Sequence, residues 1–226
     1  MSNITKNWFY KISELNTNNI TIDNDLIVSI FDDVNNNIDI KIWENSKVEF
    51  YSVLENREDF KINFIQNKEN SDLKVNYLLL SKDNIKLKSK IYSELVADNT
   101  KSDINIISVV WNSWYIDLDW IIKISEWIKK VDANLTEDNL FLWDTWKVKW
   151  IPTLLVRSDD VKASHACKME RISNEKLFYL RSRWVGKDNA LNMMIEAKIT
   201  YLFSCISMLD NDFYKELIED ILRKIK

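Results

Sequence analysis

The chain has 226 residues, 46% of them hydrophobic, and carries a formal net charge of −4. This length is enough to bury a core as one long domain or one and a half. The 35 acidic residues outnumber the 31 basic ones. This balance argues against nucleic acid as the main partner, because phosphate binding needs a concentrated basic face.

The sequence also predicts the compartment. Cys167 and Cys205 are too few for a disulfide framework, which favours a reducing cytosol. The first ten residues, MSNITKNWFY, contain neither the basic nor the apolar region of a signal peptide. The longest apolar run, TYLFSCISML, is too short to cross a bilayer. We therefore expect a cytoplasmic protein with no membrane partner.

Tryptophan and glycine occur at unusual frequencies. A soluble chain of this length would carry roughly 16 glycines, whereas this one has 1 Gly and 10 Trp. Many of the tryptophans stand beside Asn, Asp, Ser or Glu, as in VWNSWYIDLDW and FLWDTWKVKW, where a chain normally turns. A tryptophan-rich core would instead follow a period of 2 or 3.6. An aromatic surface that stacks bases or sugars would need a basic groove.

We therefore hypothesise that these positions are encoded by UGA codons that the living cell reads as glycine. With glycine in place of tryptophan, both stretches read as strand, turn and strand, because glycine supplies a positive φ without steric cost. Intact indoles at Trp143 and Trp146 in the native protein would contradict this hypothesis.

From about residue 19 to residue 171 the sequence consists of short segments in which apolar and polar residues alternate. IDIKIW places Ile38, Ile40 and Ile42 on one face, and KVEFYSV does so with Val48 and Phe50. The pattern continues in KINFI, DLKVNYLLL, NIKLKSKI, INIISVV, YIDLD, IIKIS, KVKW and PTLLV. This alternation predicts half-buried β-strands of about four to six residues.

Many short strands at regular spacing are typical of a sandwich, a barrel or a solenoid. The solenoid is favoured because turns recur without hairpin pairs. In a parallel β-helix each strand stacks on its counterpart in the next coil, so that the core is a column of aliphatic side chains.

After Arg171 the apolar residues recur with a period of 3.6, which predicts three helices. Ser173 is the expected N-cap of the first, which ends near Arg183 and is followed by Trp184, where a left-handed glycine usually stands. The second runs from about Asp188 to Met208, and the third starts at Asn211. Their apolar stripes are Leu191, Met194, Ile195, Ile199, Leu202 and Phe203 in the second, and Phe213, Leu217, Ile218 and Ile221 in the third.

This change of pattern divides the chain into a β-helix core of residues 1–171 and a helical C-terminal domain of residues 172–226. The helical domain either caps the open end of the solenoid or docks on a partner, since terminal amphipathic helices fit partner grooves.

The stretch RSDDVKASHACKMERISNEKLFYLRSRWVGKDNALNMMIEA, residues 157–197, resembles the signature of the SufB/SufD family of iron–sulfur cluster assembly proteins. That signature has a strand ending in D-D-V, then S-H-G-A, an E-x-L-F-Y-L-x-S-R-G helix and a second helix. The S-H form is most similar to SufD. The chain departs from the signature at Ala166-Cys167, and at Trp184 unless that residue is read as glycine.

The resemblance implies a mainly β protein, a right-handed parallel β-helix followed by a small helical domain. It also implies a non-catalytic scaffold of a SufBCD-type complex, which pairs through its β-helix with a SufB-like subunit or with itself. The C-terminal helices would dock a SufC-like ATPase, and the residues assigned to this are Leu177, Phe178, Tyr179, Arg181, Arg183 and Lys187. No permanently bound cofactor is expected; a transient iron–sulfur cluster would form at the subunit interface.

His165 is the only histidine and occupies the family's S-H position. In SufD this histidine is proposed to help hold the nascent cluster, and imidazole has precedent as an iron ligand. A structural, hydrogen-bonded histidine is the alternative, and the sequence leaves both open. Cys167 is interpreted as a small hydrophobic residue rather than a thiolate ligand, and Cys205 as a core residue.

A second functional hypothesis is a carbohydrate-active enzyme. Parallel β-helices also serve as polysaccharide lyases and hydrolases, which need acidic clusters or basic residues on one solvent face. The sequence has no Walker A motif, no zinc-ligand spacing and no Ser/His/Asp signature. We therefore expect no enzymatic activity of the chain itself.

Overall fold

The computed structural model describes residues 2–55, 59–81, 87–110, 114–142, 146–171 and 174–225. Its strands alternate between two parallel sheets as the chain advances. Sheet A contains β1 Ser2–Ile4, β3 Asn19–Ile22, β5 Ile38–Ile42, β7 Phe60–Gln66, β9 Leu87–Leu95, β11 Trp114–Ile124 and β13 Trp146–Val156. Sheet B contains β2 Trp8–Lys11, β4 Ile27–Asp32, β6 Lys47–Glu55, β8 Asp72–Ser81, β10 Lys101–Val110, β12 Val131–Phe141 and β14 Val161–Arg171.

Each strand pairs in parallel with the strand two places further along the chain. Lys101 of β10, for example, aligns with Asp72 of β8 on one side and with Asp132 of β12 on the other. Every coil therefore contributes one strand to each sheet, and the predicted parallel β-helix is confirmed.

The strands in the second half are longer than predicted. YIDLD and IIKIS belong to the single 11-residue strand β11, and KVKW and PTLLV to the 11-residue strand β13. The expectation of four to six residues is wrong here because Trp120, which we assigned to a break, occupies an inward-facing position of β11. Its side chain continues the alternation of Leu118 and Ile122, both buried.

The core lies between the two sheets and consists of stacked inward-facing side chains. One column on sheet B runs through Ile30, Phe50, Val75, Ile104 and Leu135, one residue from each successive strand. All five are buried in one hydrophobic cluster. Such a column buries apolar area at every coil, which stabilises the fold by about 25 cal/mol for each Å² removed from water.

The described tryptophans fall into two groups. Trp127 and Trp184 adopt left-handed φ angles of 67° and 66°, and their side chains are 89% and 99% exposed. Trp120 instead is 1% exposed, with its ring edge-on to Tyr77 at 5.9 Å between centroids. The expectation that tryptophans mark bends is therefore wrong for Trp120. Trp111 and Trp143 lie outside the described residues.

Five helices accompany the strands in the described ranges. A short α1, Ile12–Leu15, follows β2, and the C-terminal region contains α2 Asn174–Arg181, α3 Lys187–Leu202, α4 Ile206–Leu209 and α5 Asn211–Ile225. The predicted second helix is interrupted between Leu202 and Ile206, and the predicted N-cap Ser173 lies outside the described residues. Of the helices in these ranges, none has the length and apolarity that a bilayer crossing requires.

The C-terminal helices pack on the outer face of sheet B. Ile195, Ile199 and Leu202 of α3 and Ile218 of α5 form a second hydrophobic cluster with outward-facing side chains of the sheet. The sheet side chains in this cluster are Phe31, Tyr51, Val53, Leu78, Leu80, Ile107, Val109 and Leu140. The helices therefore cover a side of the solenoid, and the alternative that they cap its open end is wrong.

Candidate functional site

The interior of the β-helix changes from apolar to polar in its last two sheet B strands. The aliphatic column that ends at Leu135 continues to His165 of β14. The neighbouring column passes from Ile106 to Glu137 of β12 and then to Cys167 of β14. Two adjacent inward columns therefore end in an imidazole, a carboxyl group and a thiol.

The position of Glu137 follows from the strand alternation. Val131, Ala133 and Leu135 of β12 are buried, and every second residue of a strand faces the same side. Glu137 therefore faces the core and is only 1% exposed. Sequence analysis did not identify this residue, although a carboxyl group in phase with three inward apolar residues is a recognisable signal.

The described part of sheets A and B ends at β13 and β14. We call their inward-facing side chains the terminal face, and they are Pro152, Leu154, Val156, His165, Cys167 and Met169. Val156, Cys167 and Met169 are exposed, and the other three are half-buried. The strand β14 also presents the unpaired backbone groups of an edge strand along one side.

Glu137, His165 and Cys167 lie close together behind this face. His165 Nε2 is 3.9 Å from Glu137 Oε1, which is too long for a hydrogen bond. Both carboxyl oxygens and His165 Nε2 are buried and accept or donate no hydrogen bond among the described residues. The Asn139 side-chain amide donates to Cys167 Sγ at 3.7 Å.

Burial dominates the protonation of this cluster. It raises the pKa of the Glu137 carboxyl to about 7, and the adjacent Cys167 thiol offsets part of that shift without the geometry of a full hydrogen bond. Burial also raises the pKa of the Cys167 thiol to about 11; the charge of Glu137 adds to this, and the Asn139 amide opposes it. Near neutral pH the thiol is protonated, and Glu137 is poised between its two forms.

The predicted site residues meet different outcomes. His165 lies at the terminal face, with 23% of its side chain exposed. Cys205 packs at the margin of the cluster between α3 and sheet B, as expected of a core residue. Cys167 is exposed and contacts a carboxyl group and an amide, which does not match the interpretation as a small hydrophobic residue. In the described ranges, no three His, Cys, Asp or Glu side chains stand in the arrangement of a complete metal site.

The residues assigned to ATPase docking lie on α2 and the turn after it. Phe178 and Tyr179 are 75% and 58% exposed, and Leu177 is half-buried. The Arg183 guanidinium lies over the Tyr179 ring at 5.0 Å. Together with the exposed Arg181, Arg183 and Lys187, they form a basic and aromatic surface, which we call the α2 patch.

Known proteins share these features. Residues 32–198 match the family model described as SUF system FeS cluster assembly, SufBD core domain. The chain is 30% identical over 131 residues to the iron–sulfur cluster assembly protein SufD of Escherichia coli K12, which covers 58% of this chain and 31% of that protein. It is 29% identical over 99 residues, 44% of this chain, to SufBD family proteins of Staphylococcus haemolyticus and Staphylococcus aureus, and covers 21% of each.

The chain therefore spans less than a third of the length of these relatives. The family model, by contrast, matches well over half of the chain, and its matched range includes both His165 and Glu137. The family resemblance that we based on the S-H motif, with its likeness to SufD, is confirmed. The chain belongs to the SufBD core domain family of the SUF system for iron–sulfur cluster assembly.

Proposed function

We propose that the chain is a non-catalytic, cytoplasmic scaffold subunit that serves iron–sulfur cluster assembly by the SUF system. The main observation in support is the terminal face, because it exposes the apolar Val156 and Met169 beside the polar side chains of His165 and Cys167. Stable protein–protein interfaces combine an apolar core with a few placed polar groups.

The partner at this face is a second β-helix of the same family, either a SufB-like subunit or another copy of the chain. The unpaired backbone groups of β14 favour an occupant that extends sheet B by a further strand. His165 lies where such a partner would meet the chain, and the nascent cluster is the cargo it would help to hold. Imidazole is an established ligand of iron and of iron–sulfur clusters.

The α2 patch is the proposed docking surface for a SufC-like ATPase. Phe178 and Tyr179 supply the exposed aromatic area that interfaces are enriched in, and Arg181, Arg183 and Lys187 supply charge. A charge reversal in such a patch is expected to weaken binding through lost complementarity, without unfolding the β-helix.

Co-purification of the tagged chain with the ATPase tests the docking proposal. Arg183→Glu should reduce the amount of recovered ATPase at least tenfold, whereas Lys61→Glu, on exposed sheet A, should leave it unchanged. Equal recovery with both variants would overturn docking at the α2 patch.

Cluster assembly in cells tests the role of His165. His165→Ala should lower the activity of iron–sulfur enzymes while the chain still co-purifies with its partners. Unchanged enzyme activity would show that His165 is structural. Turnover of a polyuronate by the purified chain would instead support the carbohydrate-active alternative.

A further inference from the structure

Two buried polar groups inside the last coils face each other without a partner. Glu137 is 99% removed from solvent, its two oxygens accept no hydrogen bond among the described residues, and His165 Nε2 is in the same condition. Burying a carboxylate without compensation costs several kcal/mol. A cation between the two groups would remove this cost.

We propose that Glu137 and His165, with Cys167 as a third donor, bind one divalent transition-metal ion within this chain before any partner is present. The inference rests on the proposed function only in sharing His165, since it assigns two further donors and needs no second subunit. It makes the terminal face a preformed half-site for metal.

The distance between the two groups fits an ion better than a hydrogen bond. Zinc bonds to imidazole nitrogen and carboxylate oxygen at about 2.0–2.2 Å, so a single ion bonded to both holds them between 3 and 4.4 Å apart, according to the ~90–180° angle at the metal. The observed separation of 3.9 Å falls inside this interval.

The chemistry of the donors selects the class of metal. A carboxylate, an imidazole and a thiolate together favour borderline ions such as Fe²⁺ and Zn²⁺ over Ca²⁺ and Mg²⁺, which prefer oxygen ligands. The Cys167 side chain lies beside Glu137 and is exposed, so it can turn towards an ion without disturbing the core. Binding would release the thiol proton, since only the thiolate is a ligand.

No internal cation substitutes for the metal among the described residues. The ion-pair contact recorded there for Glu137 is with His165 itself. Lys198 contacts Asp138 and Glu170 on the outer side of the same two strands, and the strand separates it from Glu137. The inward carboxyl group thus lacks the compensation that its outward neighbour has.

Cobalt titration of the purified full chain tests the proposal, because Co²⁺ is a spectroscopic substitute for Zn²⁺ and Fe²⁺. We expect one equivalent to bind with a thiolate-to-cobalt charge-transfer absorption. Glu137→Gln and His165→Ala should each weaken binding at least tenfold, and Cys167→Ser should remove the charge-transfer absorption. Asp132→Asn, on the outward side of β12, is the matched control and should bind like the wild type.

Absence of cobalt binding by the wild-type chain, or equal affinity in Glu137→Gln, would overturn the proposal. Glu137→Gln removes a buried carboxyl group and should fold, which circular dichroism checks. Should that variant unfold, cobalt X-ray absorption of the wild-type chain decides, since sulfur together with nitrogen and oxygen in the coordination shell supports the site and oxygen alone overturns it. ATPase co-purification depends on the α2 patch, so the two proposals fail independently.

Discussion

Trp184 occupies a backbone conformation that suits glycine, and replacing it should stabilise the protein. Its φ of 66° is in the left-handed region, which costs a residue with a Cβ roughly 1–2 kcal/mol. Its side chain is 99% exposed, so removal sacrifices almost no buried apolar area. Glycine gives back about 0.4–1 kcal/mol through the greater freedom of the unfolded chain. We expect Trp184→Gly to raise the free energy of unfolding by about 0.5–1 kcal/mol.

Thermal denaturation followed by circular dichroism measures this effect. For a chain of this size 1 kcal/mol corresponds to roughly 2–4 °C in Tm. Trp184→Ala is the matched control, because it removes the same indole but keeps the Cβ and therefore the backbone strain. A Tm for Trp184→Gly at or below that of Trp184→Ala would refute the reasoning.

Trp120 provides the opposite test within the same protein. It is buried in the β-helix against Tyr77, and truncating such a side chain costs about 3–5 kcal/mol. Trp120→Gly should therefore lower the Tm by roughly 6–20 °C. The hypothesis of recoded glycine thus finds support in the backbone at Trp127 and Trp184, whereas the packing at position 120 favours the indole.

Three further predictions concern other parts of the chain. Burial raises the pKa of Asp32 to about 6, so its contribution to stability is complete below pH 4 and is lost as the pH rises through 6; Asp32→Asn should reduce the loss measured by denaturant titration between pH 4 and 7 by about 3 kcal/mol. Lys198→Met leaves the carboxylate of Asp138 uncompensated, and hydrogen exchange of residues 161–171 should accelerate by about tenfold; unchanged exchange would contradict this. Peptide mass spectrometry of the native protein should find glycine at Trp143 and Trp146, and intact indoles there would end the recoding hypothesis.

The sequence predicts the architecture well where the interior is apolar. Alternation at Ile38, Ile40 and Ile42 places all three in the core, as observed. The length of the coils was not predictable, because it grows along the chain. Asp32 and Ser52, in adjacent coils, are 20 residues apart, whereas Asp98 and Lys129 are 31 apart. Without a fixed period the repeat is invisible in a single sequence, and the turns between coils absorb the difference.

The side on which the helices pack was also beyond the sequence. The apolar stripe of the second predicted helix identifies Ile195, Ile199 and Leu202 correctly as buried. A stripe does not say which surface it meets, and both the open end of the solenoid and its side are apolar. The outward-facing Leu78 and Val109 of sheet B break the alternation of their strands, and these two positions carried the missing signal.

The candidate metal site escaped prediction for a physical reason that also makes such sites recognisable. In VDANLTEDNLF the alternation fails after Leu135, and the sequence predicts no strand there, yet β12 continues unbroken to Phe141. The pairing with β10 and β14 maintains the strand through backbone hydrogen bonds that do not depend on the side chains. Alternation vanishes at Glu137 because the interior itself becomes polar at that level. In a β-helix, a strand without alternation between two aligned neighbours is therefore a place to look for a ligand-binding interior.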